Sequence, residues 1–243
     1  QLLPGAAGDQ ACVGCHDDFV ETAGVEHTRH LPDSSGSRCM NCHMPRTTYG
    51  LFSAMRSHRI DSPSVRTSVE TGRPNACNLC HLDRTFEWTS RYLDEWYGEP
   101  PVELAEDERT VAAGILWASK GDAAQRTITA WHMGWREARE ASGETWMAPH
   151  LGQLLADPYS AIRRVAHRSI STLPGFRDFR YDYLSSPVEA QRKADEALGR
   201  WLEAGGAGVI APRLLIGADG EIDREVWLRL LEERDQRLLT IRE

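Results

Sequence analysis

The chain has 243 residues and a net charge of −8 at pH 7, with 36 acidic and 28 basic side chains. A chain this acidic is a poor partner for the phosphate backbone of nucleic acids. No apolar run is long enough to cross a bilayer, and the length allows one large domain or two modest ones. Its first residue is Gln1 rather than Met, which is typical of a chain that has lost a secretory signal segment.

The pattern Cys-x-x-Cys-His occurs three times in the first third of the chain. Each copy is typical of c-type haem attachment, in which two thiols bond to the porphyrin vinyl groups and the adjacent histidine binds the iron. Every cysteine of the chain is used in this way. The sequence therefore predicts three haems c. The attachment residues are Cys12, Cys15, Cys39, Cys42, Cys77 and Cys80, and the first axial ligands are His16, His43 and His81.

Cys-x-x-Cys pairs also occur in zinc sites and in thiol redox centres. A zinc site takes four ligands, so two pairs would complete one site and leave the third pair unused. Thioredoxin-like redox motifs follow a strand and begin a helix, and no such unit precedes these motifs. The three adjacent histidines favour haem over both alternatives.

Residues 1–85 are rich in turn-forming residues and poor in long apolar segments. A peptide of this composition cannot bury enough apolar surface to fold alone. We therefore expect the three porphyrins to form its core, with loops and short helices around them, and we predict a triheme cytochrome module over 1–85. Removing the haems should unfold this module, as removing the metal unfolds small metal-built domains.

Three further histidines lie within the same region, one for each iron. His27 and His30 are three residues apart, so both rings project from one face of a helical turn, and His58 lies between the second and third motifs. We predict that these three are the second axial ligands. The sequence does not specify which histidine binds which iron, and Met55 is an alternative ligand that would raise the reduction potential.

From Phe86 onward the pattern is helical, and we predict an α-helical domain over 86–243. The fold class is thus mainly α, with little or no sheet. Asp122 and Asp157, 35 positions apart, each look like the start of the second helix of a pair, which favours a HEAT-like solenoid over an irregular bundle. Predicted helices cover 86–97, 103–119, 122–139, 146–156, 159–172, 187–204 and 223–241, and a loop follows from Gly205 to Gly220.

The helical region contains His132, His150 and His167, which we expect to be structural. One alternative stays open: if a histidine near the motifs does not bind its iron, one of these three could, even from a neighbouring subunit. The eight tryptophans are expected in the core or against porphyrin edges.

Several segments resemble a group of bacterial extracytoplasmic multihaem c-type cytochromes. They are Arg38-Cys39-Met40-Asn41-Cys42-His43-Met44-Pro45, Thr47-Thr48-Tyr49-Gly50, Ser57-His58-Arg59-Ile60 and Gly72-Arg73-Pro74-Asn75-Ala76-Cys77-Asn78-Leu79-Cys80-His81. In that group, helical repeats often follow the haem module. The resemblance implies electron transfer, supports His58 as a ligand, and implies a periplasmic or extracellular location.

We expect an electron carrier with three bis-histidine haems, acting with redox partner proteins, rather than an enzyme. Assembly into a homo-oligomer or a wire-like filament is a variant of this hypothesis. It is supported only by analogy with other multihaem cytochromes that polymerise, and not by a sequence motif. The alternative is an oxidoreductase acting on a nitrogen or sulfur oxyanion at one open haem, with Arg29, Arg46 or Arg59 as a donor to the anion. A haem-based sensor or scaffold ranks last, because no signalling module is visible.

Overall fold

The computed structural model describes residues 8–21, 24–206, 211–217 and 221–237. Over these residues the protein is mainly helical, which confirms the predicted class. The helices are α1 (Gln10–Val13), α2 (Asp18–Glu21), α3 (Gly24–Thr28), α4 (Cys39–His43), α5 (Val65–Thr71), α6 (Ala76–Cys80), α7 (Phe86–Tyr97), α8 (Glu106–Thr110), α9 (Ala113–Ser119), α10 (Ala123–Gly134), α11 (Arg136–Ser142), α12 (Met147–Leu155), α13 (Ser160–Ile170), α14 (Pro187–Glu203) and α15 (Arg224–Glu232). A two-stranded hairpin comprises β1 (Arg46–Tyr49) and β2 (Ser53–Arg56).

The chain forms two compact units. The smaller one consists of the described residues of Gln1–Thr47 and Met55–Pro63, and the larger one of those of Thr48–Ala54 and Ser64–Glu243. The first two Cys-x-x-Cys-His motifs therefore belong to the smaller unit, whereas the third lies in the larger, helical unit. This division differs from the predicted boundary after residue 85, because the third motif packs with the helices that follow it.

The larger unit has a conventional hydrophobic core. Its centre is formed by α9, α10, α12 and α13, where Ile115, Leu151, Leu154 and Ile162 are fully buried. The apolar residues that the sequence places on one face of α12 and α13 are buried as expected, since residues three and four apart share a helix face. Short loops join α9 to α10 and α12 to α13, and α10 packs on α13.

Capping residues set several helix ends. Thr85 accepts a hydrogen bond from the backbone N–H of Trp88 at the start of α7, and Gly98, with a φ of 66°, ends that helix. Asp122 and Gln125 form a capping box at the start of α10, as the sequence suggests.

Two predicted helices are each divided in two. The segment 103–119 breaks at Ala112, whose extended backbone directs its N–H to the carbonyl of Arg213 at 2.8 Å. The segment 122–139 breaks at Trp135 (φ −81°, ψ 126°). The residue before this break, Gly134, approaches Ser169 so closely that an added Cβ would lie 2.5 Å from its Oγ. Tertiary contacts fix both breaks, so local helix propensity does not reveal them.

Asp157 was predicted as a helix start, and this is wrong. Helix α13 begins at Ser160, and the Asp157 carboxylate instead accepts a hydrogen bond from Arg126 Nε at 2.7 Å, with both side chains fully buried. Within the predicted loop from Gly205, the described residues include a 3-10 turn at Pro212–Leu214, whereas Val209 and Ile210 lie outside the described residues. Helix α15 ends at Glu232 rather than at residue 241, and the described chain continues without helix to residue 237.

No helix among the described residues combines the length and the apolar character that crossing a membrane requires.

Candidate functional site

The third motif is a helical turn with one buried side and one accessible side. Asn78 and Leu79, the two residues between the cysteines, are 0% and 2% exposed. Cys77, Cys80 and His81 are partly exposed. Positions i, i+3 and i+4 share a helix face, so the two thiols and the imidazole lie together on the accessible side. That is the arrangement that attachment to one porphyrin requires.

Buried polar contacts hold this turn in the larger unit. The Asn78 amide donates to the carbonyl of Arg84 at 3.1 Å and accepts from the buried hydroxyl of Thr89 at 2.7 Å. The next loop is fixed by Asp83, whose carboxylate accepts from Arg213 at 3.0 Å. The third motif is therefore pre-positioned by the helices that follow it.

Aromatic rings continue from His81 along α7. The His81 ring lies 5.2 Å from the ring of Trp88, which lies 4.9 Å from Tyr92, and Trp96 follows at 4.5 Å. These three rings are partly exposed. They form an apolar surface beside the third motif, as expected for tryptophans that pack against a porphyrin edge.

The second motif is α4 itself, and Arg56 from β2 fixes its position. The guanidinium donates to the carbonyl of Met40 at 2.8 Å and to Asn41 Oδ1 at 2.6 Å. The Asn41 amide in turn donates to the carbonyl of Ser35 at 2.7 Å. Both residues between these two cysteines are thus held by hydrogen bonds.

The first motif lies against the second through Asp9. The Asp9 carboxylate accepts from the backbone N–H of Met40 at 3.4 Å and pairs with Arg38 at 3.9 Å. The backbone N–H of His16 donates to the carbonyl of Cys12 at 3.1 Å, closing the same helical turn as in the third motif. The structure therefore brings the first two Cys-x-x-Cys-His turns together in the smaller unit.

Thiol acidity in the second motif differs from that of a redox dithiol. Burial and the neighbouring Cys39 raise the pKa of Cys42 to about 11, although Arg56 acts in the opposite direction. Burial and then Asp9 also raise the pKa of Cys39. Disulfide-exchange centres depend on a lowered thiol pKa, so this pair is poorly suited to that chemistry.

His43 and His27 lie side by side in the smaller unit. His43 Nδ1 is 2.9 Å from the carbonyl oxygen of Asp61, so Nδ1 carries the proton and Nε2 is the acceptor nitrogen. The His27 and His43 rings have centroids 6.0 Å apart and planes only 7° from parallel. Burial, and then proximity to His43, lower the pKa of His27, which favours the neutral ring that a metal needs.

His30 has a similar arrangement, with Nδ1 against the carbonyl oxygen of Thr28. Its ring packs on Gly36, where an added Cβ would lie 2.0 Å from Cδ2 of the imidazole. Only glycine permits so close an approach of backbone to ring. Histidines that bind metals almost always donate the other ring N–H to a carbonyl or carboxylate, and both His30 and His43 meet this condition.

The remaining histidines lie elsewhere. His58 is exposed, in the bend that directly follows β2. His132 and His150 are each 1% exposed within the larger unit, and Nε2 of His167 lies 3.0 Å from the carbonyl oxygen of Phe179. These environments agree with the structural roles expected for His132, His150 and His167. Met55 lies within β2.

Sequence reasoning missed three residues at these sites. Phe19 contacts the rings of both His16 and His27, and its i+3 spacing from His16 is a signal that could have revealed it. The roles of Asp61 and Asn78 depend on contacts that only the folded chain creates. No local pattern marks either of them.

These features fit covalent haem attachment. The thiols and histidines share a face, the inner residues are fixed, and two imidazoles present Nε2 as the acceptor nitrogen. None of the six cysteines is joined to another in a disulfide. Among the residues described, no group of three or more His, Cys, Asp or Glu side chains is arranged to hold a metal ion.

Comparison with protein-family models, with curated proteins and with solved structures gives no match for this chain.

Proposed function

We propose that the protein is an electron-transfer cytochrome with three covalently attached haems c. Cys12 and Cys15, Cys39 and Cys42, and Cys77 and Cys80 would attach them, and His16, His43 and His81 would bind the irons. The observation that supports this most directly is the threefold Cys-x-x-Cys-His pattern. In the third copy, both thiols and the imidazole share the accessible side of a turn whose other side is buried.

The bound haem would supply an iron that accepts and returns one electron, and the residues around it would set its potential. The hydrogen bond from His43 Nδ1–H to the Asp61 carbonyl fixes the orientation of the ring. It also makes Nε2 more basic, so that this nitrogen would bind a metal more strongly. His27, His30 and His58 would supply second imidazoles. Two imidazoles per iron favour a low reduction potential and leave no position for a substrate.

The alternative, an enzyme with one open haem, depends on an arginine that can bind an oxyanion. The sequence offers Arg29, Arg46 and Arg59 for that role. Of these, Arg59 pairs with Asp61 at 3.1 Å and would lose that contact on binding a substrate. For Arg59, this arrangement favours the carrier.

For the larger unit we propose a HEAT-like solenoid that docks a partner protein or a second copy. Its support is the stacking of the pair α9/α10 on α12/α13, together with the buried bond from Arg126 in the first pair to Asp157 in the second. A buried charged pair between neighbouring helix pairs can fix their register, which is the best-attested use of buried charges.

Electron paramagnetic resonance with potentiometric titration of the oxidised protein tests the carrier against the enzyme. We expect only low-spin ferric signals and three one-electron reductions at low potential. A high-spin ferric signal that changes when nitrite or sulfite is added would contradict the carrier and support the enzyme.

A further inference from the structure

We propose that His27 and His43 bind the same iron, that of the haem attached to Cys39 and Cys42, and that Phe19 sets the plane of the His27 ring. This inference rests on the proposed function, which it makes more specific. The sequence offers three second ligands for three irons and gives no means of assigning them.

The spacing of the two rings supports the pairing. An iron–imidazole bond is about 2 Å long, as for other first-row metals, and a ring nitrogen lies roughly 1 Å from its centroid, so two imidazoles on opposite sides of one iron have centroids about 6 Å apart. The observed separation is 6.0 Å.

The orientation of the rings supports it further. The two planes differ by 7°, and each ring is held by a separate contact. His43 is held by its Nδ1 bond to the Asp61 carbonyl. His27 is held by the Phe19 ring, which meets it edge to face at 4.6 Å and 61°. Phe19 is therefore a positioning residue, because it acts on the iron only through the His27 imidazole.

Near-parallel axial imidazoles have a recognisable spectroscopic signature. They split the two iron d orbitals that interact with the axial imidazoles (dxz and dyz) and give a rhombic low-spin signal, whereas perpendicular planes leave these orbitals nearly degenerate and give a single signal at a much larger g value. We therefore expect one of the three haems to give the rhombic signal, and we assign that signal to the haem of the second motif.

The test is electron paramagnetic resonance of the oxidised, haem-loaded protein and four variants. His27→Gly should lose the rhombic signal, convert one of the three haems to high spin, and regain low spin when imidazole is added. His43→Met should alter the same signal and neither of the other two. His167→Gln, which replaces a histidine of the larger unit whose Nε2 lies 3.0 Å from the carbonyl oxygen of Phe179, should keep all three low-spin signals.

Phe19→Leu covers the case in which the histidine variants fail to load haem. Phe19 is 45% exposed, so we expect this variant to load three low-spin haems and to shift the g values of the rhombic signal alone. An unchanged spectrum would overturn the role of Phe19.

The pairing is overturned if His27→Gly leaves three low-spin haems, or if His27→Gly and His43→Met alter different signals. A wild-type protein without covalent haem would instead refute the proposed function, and this outcome is distinguishable because it precedes any comparison of variants.

Discussion

The two units of this protein are stabilised in different ways. In the larger unit, side chains from successive helices bury one another, and Leu82, Ile115 and Leu151 have no solvent exposure. In the smaller unit, none of the residues that the structure describes is fully buried, and Leu31 and Ile60 are about three-quarters exposed. Hydrophobic burial can therefore account for folding of the larger unit, whereas the smaller one requires another source of stability.

The placement of the motifs gives this contrast a functional meaning. Two attachment turns lie in the unit without a polypeptide core, and the third is embedded in the unit with one. If porphyrins supply the missing apolar surface, the first two haems are structural as well as redox groups. The third haem would then be attached to a support that the protein has already built.

The largest expected effect comes from preventing haem attachment. In a variant with all six cysteines changed to alanine, hydrogen–deuterium exchange should show full loss of protection over residues 8–47 and 55–63. The helices α10, α12 and α13 should stay protected, because their core is made of side chains alone. Equal protection of both units without haem would contradict the claim that only the smaller unit depends on haem for its stability.

Within the larger unit, Asp157→Ala should destabilise the fold by about 3–5 kcal/mol, because it leaves the Arg126 guanidinium buried without its carboxylate. Denaturant unfolding followed by helical circular dichroism measures this loss. The matched control is Glu189→Ala, which breaks an exposed pair with Arg192 on α14 and should leave the midpoint unchanged. Equal effects would show that the buried pair has no special role.

Burial lowers the pKa of His150 to about 4, from 6.5 when exposed. The folded state holds this proton less tightly than the unfolded state, so stability is full above pH 6.5 and decreases as the pH falls towards 4. We expect a loss of about 2–3 kcal/mol across this range, which is absent in His150→Phe. A pH profile that is the same in both proteins would contradict this assignment.

The smallest expected effect comes from substituting the asparagine between the two cysteines of a motif, once in each unit. Asn78→Ala leaves the buried Thr89 hydroxyl without its acceptor and should cost about 1–3 kcal/mol. Asn41→Ala removes similar bonds in the second motif, where water can replace them because the residue is only half-buried, and should cost less. The unfolding midpoints of Asn78→Ala and Asn41→Ala, measured on haem-loaded protein, check this order. Equal losses of stability would contradict it.

Sequence reasoning succeeded where local chemistry decides the outcome. The capping by Asp122 and the burial of one face of α12 and of α13 depend on residues within one or two turns of each other. It failed where distant segments meet. Asp157 resembles an N-cap by spacing, and only the approach of Arg126, 31 positions earlier, makes it half of a buried ion pair.

The domain boundary illustrates the same limit. Composition changes at about residue 85, yet the contacts of the third motif are with the helices after it. The bonds from Asn78 to Thr89 and from Arg213 to Asp83 fix it there, and the second of these spans 130 positions. No composition window detects a contact between segments so far apart in the chain.

Covalent attachment of three haems is the central claim, and intact-mass spectrometry of the mature protein combined with the alkaline pyridine haemochrome spectrum tests it most directly. We predict a mass equal to the polypeptide plus three haems, with the absorbance of haem bound by two thioether bonds and a ratio of three haems per chain. A polypeptide without added mass, or with six titratable thiols, would contradict the account.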